Sequence, residues 1–324
     1  MSTDVMPTTH ARRGRGGRLY HGETAIDFYG RRWWGLGVSA LLIVVTIVSL
    51  FANGLNLGLD FKGGVAWEVP STHLTVDQAR ALLSANQIDG TNAKIQERTS
   101  ASGSVLLIQV GDQPVAKRQQ IQEALATAAQ VSTDAVSVNS VSSTWGRSIT
   151  EKAIRALIIF LILVAMFIAW RLEWRMAVAA IIAMLHDVLI SVGVYSLFGF
   201  EVAPATVIAF LTILGFSLYD TIVVFDKVHE NAKRYAGGRT TYREIVNLSM
   251  NQTLMRSLNT SLAAVLPVLS LLVVGSWILG AIALQDFAVA LLVGLVTGSY
   301  SSIFIATPIL AMLKDREPKW RVVR

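Results

Sequence analysis

The apolar residues of this chain are gathered into six runs of about 20, the length that carries a helix across the ~30 Å hydrocarbon layer of a bilayer. Lipid offers no partners for free amides, so runs of this kind must be helices. The first, residues 33–51, carries no charge, is too long for a signal-peptide core and lacks a small-x-small cleavage site; it is expected to persist as a transmembrane helix. The others fall at 153–170, 176–198, 204–225, 257–277 and 287–313. The last two share one stretch whose single charge is Asp286. Composition agrees: 53% of residues are hydrophobic and 15% charged, and the mean hydropathy is +0.51, which excludes an ordinary water-soluble enzyme. Without Cys there is no disulfide, thiolate catalysis or Cys-ligated centre. His10, His21, His73, His186 and His229 lack metal-ligand spacing, so no metal and no cofactor is expected.

The net charge of +6 would suggest nucleic acid in a soluble protein. Here the basic residues flank apolar runs, which points to orientation in a membrane and to no nucleic-acid partner. They occur in a tail over residues 1–32 (Arg12, Arg13, Arg15, Arg18, Arg31, Arg32), at Arg171 and Arg175, between Lys227 and Arg256, and from Lys314 to Arg324. With six spans, all four segments lie on one side, whereas the opposite short loops near Glu201 and Gln285 carry no Lys or Arg. Both termini are therefore predicted cytoplasmic, 1–32 and 314–324 as basic tails. The first tail has too little apolar material to fold alone and suits anionic lipid.

Residues 52–150 form the one sizeable polar region, predicted to be an external domain. Strands are expected at 65–69, 93–98, 105–110 and 135–141, and helices at 75–85, capped by Thr75, and 115–129. The order β-α-β-β-α-β describes a ferredoxin-like four-stranded sheet with two helices on one face. The fold class is thus a polytopic α-helical membrane protein, with a five-helix region over 151–313 following a small external α+β domain. Such a sheet hosts many functions. Its lack of clustered His or carboxylates favours contact with a partner, and the chain is read as a non-enzyme.

An ionisable side chain inside a span costs about 2.5–3.5 kcal/mol on insertion scales, so each needs a reason. Asp187 lies mid-span beside His186. Asp220 lies toward the cytoplasmic third of the fourth span, and Arg256 begins the fifth at a similar depth. Asn259 and Thr260 follow Arg256 at i+3 and i+4, on one helix face that can receive a buried carboxylate. One reading is a proton site, with burial favouring the neutral acid and a guanidinium favouring the carboxylate. The other is structural: a snorkelling Arg256 and helix–helix hydrogen bonds at Asp220, Asp187 and His186. Gly294, Gly298 and Ser302 make a small-x-x-x-small stripe, a packing surface toward a helix either internal or in another subunit.

Three stretches together resemble the SecD/SecF family of the bacterial Sec translocation machinery, on its SecF side, a relative of proton-driven resistance-nodulation-division exporters. They are GLNLGLDFKGG at 54–64, LHDVLISVGVYSLFGFEV at 185–202, and GFSLYDTIVVFDKVHEN at 215–231 followed by Arg256. The resemblance runs from about residue 26 to 313. It implies a proton-coupling carboxylate at Asp220 with Arg256 as its basic partner, and Gly58, Asp60, Gly63 and Gly64 as the hinge of the external domain. It also implies a SecD-like partner, the SecYEG channel, exported unfolded polypeptides and protons as the things handled, in a bacterial cell membrane. The family often has Asn before the carboxylate where this chain has Tyr219. Three rivals remain at this level. One is a proton-driven small-molecule or lipid exporter, although such chains usually have two large external loops. Another is an intramembrane aspartyl protease, for which Tyr219-Asp220 supplies half a motif but the Gly-x-Gly-Asp partner is absent. The third is a passive scaffold.

Overall fold

A computed structural model describes residues 26–90, 93–100, 103–171, 173–236, 240–279 and 282–315, together with Glu317 and Trp320. Six helices are long and apolar enough to cross a membrane. They are α1 (Arg32–Asn53), α5 (Ser143–Arg171), α6 (Trp174–Phe198), α7 (Pro204–Arg234), α8 (Tyr242–Ser270) and α9 (Ile282–Ser301). A π-helical segment, Leu271–Ile278, extends α8, and another, Ser302–Ala306, joins α9 to α10 (Thr307–Lys314). The chain is a multi-pass membrane protein.

The predicted span positions hold, but several helices are longer than their apolar windows. α5 starts at Ser143, so the last residues assigned to the external domain are already helical. The basic segment between the fourth and fifth spans is largely helix too. Past the apolar windows, α7 and α8 stay paired through Asn231, whose Nδ2 donates to Ser249 Oγ at 2.8 Å and Gln252 Oε1 at 2.9 Å. Hydropathy detects lipid contact and misses helix that continues into water.

Helix association in lipid cannot rely on burying Leu, so small and polar residues turn inward. α1 shows this: its buried residues are Gly35, Ser39, Thr46 and Ser49, while its Trp, Leu and Val side chains mostly face out. α6, α7 and α9 form the centre, with α1 and α5 against α6, and α8 against α7 and α9. The Gly294–Gly298–Ser302 stripe meets a partner within this chain. A Cβ at Gly294 would collide with Ile213 at 2.3 Å, one at Gly298 would meet Ser217 at 3.0 Å, and Ser302 Oγ lies 3.1 Å from Thr221 Oγ1. Both series step by four in the same direction, so α7 and α9 run parallel along one seam.

The polar region folds as predicted. Its elements are α2 (Leu59–Lys62), β1 (Gly64–Pro70), α3 (Val76–Ala85), β2 (Lys94–Ser100), β3 (Gly103–Val110), α4 (Val115–Ala129) and β4 (Ser137–Val141), with a 3-10 turn at Thr133–Ala135. Thr75 caps α3 in a capping box with Gln78. The antiparallel sheet runs β2-β3-β1-β4, with Trp67 opposite Ile108 and Val138. Alternation along β1 sends Val65, Trp67 and Val69 into a core with Leu83, Ile121 and Leu125. Ala66 and Leu107 face the other way, toward Leu59 of α2.

Two expectations for the tails need correction. Residues 1–25 lie outside the described residues, but 26–31 are not loose. Ile26 and Asn251 exchange two hydrogen bonds of 2.9 Å, Tyr29 N donates to Asn247 Oδ1 at 2.8 Å, and Phe28 is buried. At the other terminus Lys314 is 1% exposed and paired with Glu173, while Arg175 pairs with Glu317. A buried ammonium needs such partners, so Lys314 and Glu317 are docked at the helix end and are not part of a solvated basic tail.

Candidate functional site

Two carboxylates lie buried in the bundle. Asp187, on α6, is 1% exposed. Its Oδ2 accepts from Ser217 Oγ of α7 at 2.6 Å and from Ser301 Oγ of α9 at 2.8 Å, and its Oδ1 lies 3.1 Å from His186 Nδ1. The other imidazole nitrogen is 3.0 Å from Ser39 Oγ on α1. Three spans thus meet at one carboxyl group and α1 joins them through the imidazole, His186 and Asp187 coming together as adjacent residues on a helix can.

Asp220, on α7, is 3% exposed, and its Oδ2 accepts from Ser257 Oγ at 2.8 Å. Arg256 does not make this contact. Among the described residues no ion pair joins it to Asp220; its guanidinium reaches Tyr219 OH at 3.5 Å, and both residues are exposed on the bundle surface. The helical period explains this: Ser257, one position on, turns about 100° and faces inward. Asn259 is exposed and Thr260 half-buried, its hydroxyl bonded back to Arg256 O at 2.7 Å. The expected polar face of the fifth span therefore exists but looks outward, beside the carboxylate and not onto it.

The π-helical turn after α9 brings the two carboxylates into one framework. Ser301 donates to Asp187, while its neighbour Ser302 bonds Thr221, the residue after Asp220. Single π turns recur where helices carry function. Each carboxylate is held by its own hydroxyls, whereas an aspartyl protease needs two carboxyl groups sharing a proton.

At the sheet end of the bundle lies a second charged node. Glu201, in the link between α6 and α7, is 11% exposed and accepts from Lys94 (3.1 Å), Arg98 (3.2 Å) and Gln109 (3.1 Å) of the sheet. Arg98 also lies 3.8 Å from Asp286 at the start of the sixth span. Burial lowers the Lys94 pKa, opposed by the Glu201 charge, and burial together with the Glu201 charge raises that of Asp60. Asp60, Glu68, Arg98, Gln109, Glu201 and Asp286 line a cavity of about 420 Å³ between sheet and bundle.

The glycine motif forms the junction beside this node. Gly58 and Gly63 bound α2, and Gly58 N donates to Val202 O at 2.9 Å. Gly63 and Gly64 have φ of 73° and 128°, which other residues rarely adopt, and a Cβ on Gly64 would sit 2.2 Å from Val110 O. The segment read as a hinge is closely packed in this conformation.

Several functional candidates were not singled out from sequence: Ser39, Ser217, Ser257, Ser301, Tyr300 and Glu201. Helical spacing offered a signal for Ser217, one turn before Asp220, and for Ser301, beside the small-residue stripe. Nothing local distinguished Glu201, whose partners lie roughly 90–110 residues away in sequence.

Residues 120–316 match the family described as protein export membrane protein SecD/SecF, C-terminal, and residues 48–65 match the SecD/SecF GG motif. The chain is 43% identical over 310 residues to protein translocase subunit SecF of Streptomyces coelicolor, covering 95% of this chain and 82% of that one. It is 46% identical over 313 residues to the subunit of the same name from Mycobacterium tuberculosis, covering 92% and 69%. Among solved structures it is similar to SecDF of Thermus thermophilus, a translocon-associated membrane protein, with a TM-score of 0.81 and 32% identity. That match covers 91% of this chain but 39% of the other, so the chain spans about two fifths of SecDF. With a family match over more than half its residues and relatives aligned along nearly all of it, the chain belongs to the SecD/SecF family.

Proposed function

We propose that this chain is a subunit of the Sec protein translocase, embedded in a bacterial cell membrane with both termini cytoplasmic and the α+β domain outside. It works with a SecD-like partner beside the SecYEG channel, using the proton gradient to draw emerging, unfolded polypeptide outward and to hinder its return. It acts by conformational change and not as an enzyme. The observation that carries this reading is Asp220: a carboxyl group 3% exposed inside an apolar span, held by the hydroxyls of Ser257 and Ser302 and, among the described residues, with no counter-ion in contact.

An unpaired carboxylate in lipid is costly, whereas the neutral acid is tolerated, so proton binding and conformation are linked there. One elementary charge falling through 100 mV releases about 2.3 kcal/mol, enough to bias two conformations that differ by a few kcal/mol. Arg256, Tyr219 and Asn259 lie beside Asp220 on the exposed surface and suit the SecD-like partner, whose own polar groups would satisfy them. The Glu201 node transmits bundle movement to the external domain, which holds the polypeptide.

The test is Asp220→Asn, which keeps shape and hydrogen bonding but cannot ionise. Export should fall at least tenfold in cells while the variant still co-purifies with its partner. Unchanged export would leave a passive scaffold. Purification with an efflux partner in place of Sec components would favour the small-molecule or lipid exporter.

A further inference from the structure

We infer that His186 and Asp187 together hold one exchangeable proton, forming a second proton-binding unit in the core of the bundle, separate from Asp220. The argument is a count of hydrogens. Tyr300 has one hydroxyl hydrogen, and it is committed to Gly35 O at 2.7 Å, since a carbonyl only accepts. Ser39 Oγ lies 3.2 Å from Tyr300 OH, so Ser39 must donate in that contact. It then has no hydrogen left for His186 Nε2, 3.0 Å away, and Nε2–H is the donor.

At the other side of the ring, Nδ1 lies 3.1 Å from Asp187 Oδ1, and a hydrogen bond there requires a hydrogen between them. It sits on an imidazolium facing a carboxylate, or on a neutral acid facing a neutral imidazole. A hydrogen on Asp187 Oδ2 would not fill that place, because it would leave Nδ1 and Oδ1 facing each other at 3.1 Å with none between them. In either form the pair is neutral overall and carries one proton more than an imidazole beside a carboxylate. Losing it would leave two lone pairs opposed at 3.1 Å and a net negative charge in mid-span.

Among the described residues, no opposite charge on these spans stands ready to stabilise that state. α1 has no charged residue beyond Arg32, α6 has none between Arg175 and Asp187 or after it, and the sixth span has none between Asp286 and Lys314. The neighbouring titratable groups are Tyr300 and, about one turn past Ser217 on α7, Asp220. A negative Asp220 would oppose deprotonation of the pair further. The role of this proton in transport rests on the proton-driven reading above, but its presence is measurable independently.

The experiment is nitrogen NMR of histidine-labelled full-length protein in lipid nanodiscs over a pH series, with His186→Gln identifying the signal. The expected result is Nε2 carrying hydrogen at neutral pH, with a His186 signal that Asp187→Asn alters because the proton belongs to the pair. Tyr300→Phe supplies a second readout. It frees the Ser39 hydroxyl to donate to Nε2, so the Nε2 signal should shift toward that of a hydrogen-bond-accepting nitrogen. A bare Nε2 at neutral pH in the unsubstituted protein, or an Nε2 signal unchanged in Tyr300→Phe, would overturn the proposal. Unchanged export in Asp220→Asn would instead remove the transport reading and leave the proton count standing.

Discussion

α5 and α8 are equally peripheral, with 6% of each apolar window buried, yet they present different chemistry to their surroundings. The outward side of α5 is Ile154, Ile158, Ile162, Leu163, Met166 and Phe167, a surface indistinguishable from what lipid requires. On α8, Leu258, Leu262 and Leu266 are interrupted by exposed Arg256 and Asn259, with Tyr219 of α7 beside them. Equal exposure therefore has two meanings. One face is finished as it stands, and the other carries polar groups that the proposed partner subunit would satisfy.

The largest expected effect follows from the absence of Cys, which makes single-Cys crosslinking clean. Cys at Asn259 should crosslink to the co-expressed partner in membranes and Cys at Ile162 should not; equal yields would erase the distinction between the faces. Next, Arg256→Leu should reduce recovery of the partner about tenfold in mild detergent, corresponding to about 1.4 kcal/mol, whereas Ile162→Ala on α5 should leave it unchanged. Within α8 the comparison sharpens to adjacent residues: Ser257→Ala should keep the partner but slow export about tenfold, since it removes a hydrogen bond worth about 1.5 kcal/mol or more to a carboxyl group. Loss of the partner in that variant would show that the inner face also builds the interface.

The smallest effect concerns the junction where α5 meets the sheet. The raised Asp60 pKa means the folded protein favours the protonated acid, so this group favours the fold at low pH and loses that contribution as pH rises through its folded pKa. Asp60→Asn should therefore raise the thermal midpoint of the α+β domain slightly at neutral pH, with the gain vanishing near pH 4. A gain that persisted at pH 4 would mean the carboxyl charge is not its cause.

The spans and the strand order were legible because each depends on a local pattern, hydropathy over about 20 residues or alternation over five. Asp220 and Asp187 were legible because charge in an apolar run has few explanations. The partner of Asp220 was not. Depth brought Arg256 to the right level, but facing direction turns on a 100° step between consecutive residues, and Ser257 won it. Long-range pairings such as Glu201 with Lys94, or Lys314 with Glu173, leave no mark in either segment alone. The docked 26–31 segment was missed for the same reason, its anchors Asn247 and Asn251 being ordinary polar residues on a distant helix.

The short link that carries Glu201 joins the helix of Asp187 to the helix of Asp220, and this makes it a lever tip. From Asp220 to the start of α7 is roughly 24 Å, and from Asp187 to the end of α6 roughly 16 Å, at 1.5 Å per residue. A tilt of about 5° around Asp220 would displace the helix start by about 2 Å. That is enough to part Glu201 from Lys94, Arg98 and Gln109, which it meets at 3.1–3.2 Å. Under the proposed proton-driven reading, movements too small to disturb the packed centre would thus be magnified where the sheet is tethered, with a gain set by how far along its helices the carboxyl groups are mounted.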